Sequence, residues 1–200
     1  MRPLAIMAAV TLLLAAPAWA QNTKPAAGNP AGMAPLTPKA APGMPAAHQP
    51  NQADRLFIRE AAIGGKAEVE LAELAQGSAR SDAVKSFARR MVEDHGKANE
   101  RLASLAREAG VTPPDELDPE HQAMHDRLKG LKGAAFDRAY IEGQVQDHQK
   151  TAQLLEWEIG SGQDPTLESF ASETLPVVLE HLRMARDIAT QLTLTASKEP

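Results

Sequence analysis

Four long stretches, residues 54–77, 82–109, 134–161 and 165–193, place their apolar residues at helical spacing, and no segment alternates apolar with polar as a half-buried strand does. That periodicity confines the chain beyond residue 53 to an all-α fold. Turn residues fall where such helices must stop. Gly77-Ser78, Gly110 and Gly160-Ser161-Gly162 close the first three stretches, and Asp164-Pro165 opens the fourth with a capping carboxylate followed by proline. Ser81 stands where it would cap the second. The connections run short, long, short. The long one, Val111–Gly133, contains Pro113-Pro114 and then a short amphipathic helix from Pro119, with Met124, Leu128 and Leu131 on one side.

An internal repeat relates the two halves. Phe57-x-Arg59-x4-Gly64 in the first stretch matches Phe136-x-Arg138-x4-Gly143 in the third, and Val84-Lys85-Ser86-Phe87-Ala88 in the second matches Leu167-Glu168-Ser169-Phe170-Ala171 in the fourth. The chain's four Phe are thereby spread one to each long helix. Two helical hairpins related by a pseudo-twofold axis and joined by a long crossover containing a short helix make a four-helix bundle of the ferritin-like kind.

The residues before the bundle differ in character. Residues 1–20 carry Arg2, an apolar run from Leu4 to Ala16 and then Ala18-Trp19-Ala20, with small residues where signal peptidase reads. The run is short for a membrane span, so the segment reads as a signal peptide cleaved before Gln21, which predicts export to a bacterial periplasm. Residues 21–53 hold seven prolines among Ala, Gly and Asn, the composition of an extended, disordered tether. Residues 54–195 form the bundle domain. All 26 Asp and Glu lie from Asp54 onward, whereas Arg2, Lys24 and Lys39 lie upstream, so the bundle is more acidic than the whole-chain charge of −5. That balance disfavours nucleic acid as a partner and favours a cation. With no cysteine in the chain, any metal must be held by histidine and carboxylate.

At about 100° per residue, each long helix sets one ionisable group within its apolar stripe. Glu68 lies in line with Phe57, Ala61, Gly64 and Leu71. His95 lies among Phe87, Met91, Ala98 and Leu102, with Asp94 at the edge of that stripe. Asp147 shares a face with Phe136, Tyr140, Gly143, Leu154 and Trp157, with His148 on its flank. His181 follows Phe170, Thr174 and Val178. All four groups fall near mid-helix, at one level of the bundle. A buried lone carboxylate costs several kcal/mol, about 3–5, so each needs a partner. Two solutions stay open. Glu68 can pair with His95 and Asp147 with His181, making a metal-free structural or protein-interaction module. Alternatively, Glu68, His95, Asp147 and His181 together hold one divalent transition metal, Zn, Fe, Mn or Cu.

The segments FIREAAIGGKAEVELAELA, VKSFARRMVEDHGKANERLASLAREAGV, GAAFDRAYIEGQVQDHQK and FASETLPVVLEHLRMA, in that order between Arg55 and Leu192, resemble the bacterial family called domain of unknown function 4142. The resemblance implies a ferritin-like helical bundle, exported and associated with the cell envelope, with no established activity. Di-iron carboxylate proteins of that fold carry Glu-x-x-His on two helices, but here Val92 precedes His95 and Val178 precedes His181 at that spacing. The pattern therefore supports at most a mononuclear site, in an envelope protein of metal-binding or stress-related role.

No catalytic motif is complete. There is no Gly-rich phosphate loop and no nucleophile elbow, and Gly64-Gly65 sits inside a helix, where it permits close packing. His121 and His125 lie four apart on the crossover helix, but Gln122 stands where a zinc-protease motif has Glu, so they read as a solvated polar face. The partners consistent with these features are a metal ion, an envelope protein or a second copy of the chain.

Overall fold

The computed structural model describes residues 50–197; the signal and most of the tether expected upstream lie outside them. Five helices follow one another: α1 Gln52–Ser78, α2 Asp82–Glu108, α3 Pro119–Lys129, α4 Gly133–Ser161 and α5 Pro165–Ala196. Hairpins α1–α2 and α4–α5 pack side by side, α1 against α4 and α2 against α5, and α3 lies against α1 and α4. This is the four-helix bundle with a helical crossover that the periodicity and connection lengths predict. No strand occurs among the described residues, and no helix among them is long and apolar enough to cross a membrane.

The helix starts are chemically distinct. Asn51 caps α1 in a capping box with Asp54. Asp118 and Asp164 cap α3 and α5, each followed by proline in the first turn. Helix α2 departs from expectation. Ser81 occupies the N-cap position, but its side chain makes no capping bond. The buried Asp137 of α4 takes over, accepting from Arg80 N at 2.9 Å and Ser81 N at 2.8 Å. The turn that leads into α2 is thus held by a carboxylate of the other hairpin. At the opposite end, the buried Asp54 carboxylate accepts from Asn51 N at 2.6 Å and Gln163 N at 2.9 Å, tying the start of α1 to the α4–α5 turn. Gly110 ends α2 at φ 61°, a conformation only glycine adopts freely. Pro176 lies inside α5 without ending it.

The apolar core forms two clusters, one toward each end of the bundle. One contains Phe87 and Phe136, the other Phe57 and Phe170. Phe57 and Phe170 meet edge to face at 6.2 Å, and Tyr140 stacks on Phe136 while meeting Phe87 edge-on. The repeat is therefore reproduced in space: α1 with α5 in one cluster corresponds to α4 with α2 in the other. The adjacent glycines Gly64 and Gly65 of α1 have different roles. A Cβ on Gly65 would lie 2.0 Å from Asn99 Oδ1, so Gly65 admits α2 closely, whereas a Cβ on Gly64 would meet nothing within 4 Å. Gly143 of α4 receives the methyl of Met124, 3.0 Å from where its Cβ would be, which seats α3.

Helix α4 buries a wider arc than a single stripe, including Asp137, Gln144 and His148. It is covered on three sides, by α5, α1 and α3. This corrects two placements. His148, expected on the flank, is interior, and Trp157, expected on the apolar face, is 38% exposed.

Asp137→Ala leaves the start of α2 without its acceptor and should destabilise the fold by about 1–3 kcal/mol in urea unfolding, whereas Ser81→Ala should stay within about 0.5 kcal/mol of the parent. A second expectation concerns Glu158. Burial, with the Asp54 carboxylate beside it, pushes its carboxyl from 4.5 up to about 8. The stability linked to that proton is full below pH 4.5, where both states are protonated, and is lost as pH rises towards 8. Glu158→Gln should therefore gain urea midpoint relative to the parent between pH 4.5 and 8; a constant difference across that range would contradict the assignment.

Candidate metal centre

Between the two apolar clusters the bundle is polar. His95 of α2, His148 of α4 and His181 of α5 converge there, 7%, 1% and 1% exposed. Each pair of ring centroids is 5.4 Å apart. One nitrogen from each ring lies within 4.8 Å of the other two, and His95 Nε2 lies 3.4 Å from His148 Nε2. Phe87 closes one side, its ring 6.3 Å from His148 and 6.5 Å from His181.

The outer nitrogens of His148 and His181 fix how those two imidazoles are used. His148 Nδ1 lies 3.0 Å from the carbonyl of Gln144, which can only accept, so the ring proton sits on Nδ1 and the Nε2 lone pair faces His95. His181 Nε2 donates to Asp94 Oδ2 at 2.9 Å, leaving Nδ1 buried without a hydrogen-bond partner. Burial would lift Asp94, but hydrogen bonds from His181 and Arg90 hold it below the usual carboxylate range. Imidazoles anchored through one nitrogen to a carbonyl or carboxylate, with the other nitrogen free, have the arrangement of metal-ligating histidines. Burial pushes His95 down to about 3 and His148 down to about 4, and it lowers His181 against the pull of Asp94. All three rings are neutral at pH 7, with lone pairs available.

Glu68 of α1 stands beside this group, 3% exposed. Its Oε2 accepts from Gln144 Nε2 at 2.7 Å, and its Oε1, 3.3 Å from His148 Nδ1, has no hydrogen-bond partner. Burial pushes this carboxyl up to about 8, opposed by the Gln144 bond and reinforced by Asp147. Glu68 thus supports His148 from outside the three-nitrogen cluster.

Of the four residues singled out by sequence, His95 and His181 are in the cluster and Glu68 borders it. Asp147 points to a cleft of about 320 Å³ between α1, α3 and α4, which Glu68 also lines. The expected pairs are exchanged. Glu68 meets His148 and Gln144 rather than His95, and His181 meets Asp94 rather than Asp147. Both the expected and the observed partners stand on neighbouring helices, so the side of each helix a residue faces, and not adjacency, decides the pairing. The wheel of α4 centres on Phe136 and sets His148 on its flank. The signal was its place in Asp147-His148, a second Asp-His pair after Asp94-His95. His121 and His125 are not on a solvated face, because α3 packs against α1 and α4; His121 pairs with its own N-cap Asp118 and lines the same cleft.

The fold and this centre define a ferritin-like four-helix bundle with a buried histidine cluster on its axis. The chain belongs to the family described as a domain of unknown function, DUF4142, whose profile matches residues 39–188. Among curated proteins none matches the chain. Its fold is similar to that in the crystal structure of a DUF305 fragment from Deinococcus radiodurans, with a TM-score of 0.65 and 14% identity over 72% of this chain and 99% of that one.

In the metal-free protein, His95 and His148 should resist protonation well below the ordinary 6.5. Their imidazole resonances should shift only near pH 3 and 4 if the fold persists that far. The sign for stability follows. The unfolded chain binds these protons below 6.5 and the folded chain does not, so stability is full above 6.5 and falls with pH below it. Titration of either ring near 6.5 by NMR would contradict the burial described.

Proposed function

We propose that this protein binds one transition-metal ion through His95, His148 and His181. The observation that carries this reading is the convergence of three buried, neutral imidazoles, of which His148 and His181 already engage one nitrogen with Gln144 O and Asp94. The donor set fits such an ion. Two nitrogens each about 2.0–2.1 Å from one ion at the tetrahedral angle lie about 3.3–3.4 Å apart, and His95 Nε2 and His148 Nε2 are separated by 3.4 Å. The unpartnered His181 Nδ1 supplies the third donor. Three imidazoles without thiolate suit Zn, Cu or Fe better than Mn, which prefers oxygen. The proposed setting is the cell envelope, with residues 1–20 as a cleaved export signal and residues 21–53 as a tether.

Metal-free protein titrated with Zn2+ should bind one equivalent by calorimetry. At a free concentration about 100 times Kd, binding should stabilise the fold by about 2.7 kcal/mol. His95→Ala, His148→Ala and His181→Ala should each abolish the effect, whereas Asp147→Asn should keep it. If neither Zn2+, Cu2+ nor Fe2+ shifts the melting of the parent protein, the three histidines are instead a hydrogen-bonded polar layer that sets helix register, and the chain is a metal-free interaction module.

A further inference from the structure

The histidine cluster is buried, so an ion needs a path to it. We propose that the cleft between α1, α3 and α4 is the entrance for the cation, with Asp147 and Glu60 on its walls and the buried Glu68 at its base. This rests on the metal-binding reading above and adds a route to it.

Three observations place the route here. First, the outer cleft and a smaller cavity that reaches His95 have Glu60, Gly64, Glu68, Thr151 and Leu154 in common in their walls. The two spaces meet at these residues. Second, Glu68 Oε1 is buried, has no hydrogen-bond partner, and lies 3.3 Å from the ring of His148. It is an oxygen available to an ion that has left water and not yet reached the imidazoles. Third, the walls carry Glu60, Asp118, Glu120 and Asp147 against a single lysine, Lys150, which is bound to Glu120 and 3.9 Å from Asp147. Acidic walls raise the local cation concentration. The carboxylates of the cleft do not close on one point as the imidazoles do: the three histidines alone among the described residues have ligand atoms clustered within 4.8 Å. A widely spaced set of carboxylates passes an ion onward instead of retaining it.

Gly64 offers a test that leaves every proposed ligand intact. A Cβ there meets nothing within 4 Å, so the space beside it is open, and that space is where cleft and interior meet. Gly64→Leu fills the passage and also raises helix propensity at a mid-helix position. Zn2+ has no d–d absorption, so Co2+ is the probe, mixed with the full chain in a stopped-flow spectrometer. The parent should load at a rate that falls as salt is raised. Gly64→Leu should reach the same final spectrum and stoichiometry about tenfold or more slowly. The double variant Glu60→Gln/Asp147→Asn should load about tenfold more slowly at low salt and lose most of the salt dependence. Loading of Gly64→Leu at the parent rate overturns the route. Should Gly64→Leu fail to fold or to bind, the double variant decides alone, and a parent-like rate at low salt in it overturns the route. No Co2+ spectrum in the parent protein overturns the metal site itself, a result distinct from fast loading of the variants.

Discussion

A polar layer buried between two apolar clusters must find its partners from within, and Gln144 joins two of its members. Its side-chain amide donates to Glu68 while its backbone carbonyl receives the Nδ1 proton of His148. A single residue therefore orients one imidazole and steadies the carboxyl beside it. An uncompensated polar group at this depth would cost on the order of 1–3 kcal/mol. The layer also sets what α2 and α5 can do, because the Asp94–His181 bond joins them at the same level.

The repeat explains why there is one centre and not two. In register with the phenylalanines, the counterpart of His148 is Val69, that of His95 is Val178, and that of His181 is Ala98. The two halves share apolar packing and differ in the residues of the layer. Duplicated helices supply a symmetric frame, and the histidines break that symmetry on the axis, where residues from both halves are within reach.

Helix content, boundaries to within a few residues, topology and the identity of two clustered histidines were legible in the chain, because helical periodicity and caps are local. Two things were not. The arc that α4 buries depends on the helices standing around it: His148 faces inward against α2 and α5, while Trp157 is left 38% exposed. The bond of Asp137 to the turn before α2 is equally nonlocal, and Ser81, with the correct residue type at the correct place, makes no capping bond. Partner exchange among the buried acids and histidines follows from the same limit. A helical wheel reports which side a residue faces and is silent on which helix stands there.

The contact between Met124 and Gly143 has a mechanical consequence. The methyl of Met124 occupies the space a side chain at 143 would need, so that one missing carbon sets how low α3 rides on the seam between α1 and α4. Asp118, Glu120 and His121 travel with α3. A larger residue at 143 would press on Met124 and through it on the helix that carries these cleft residues. Natural variation at 143 or 124 would act as a lever on the aperture, widening or narrowing it without altering a single polar group.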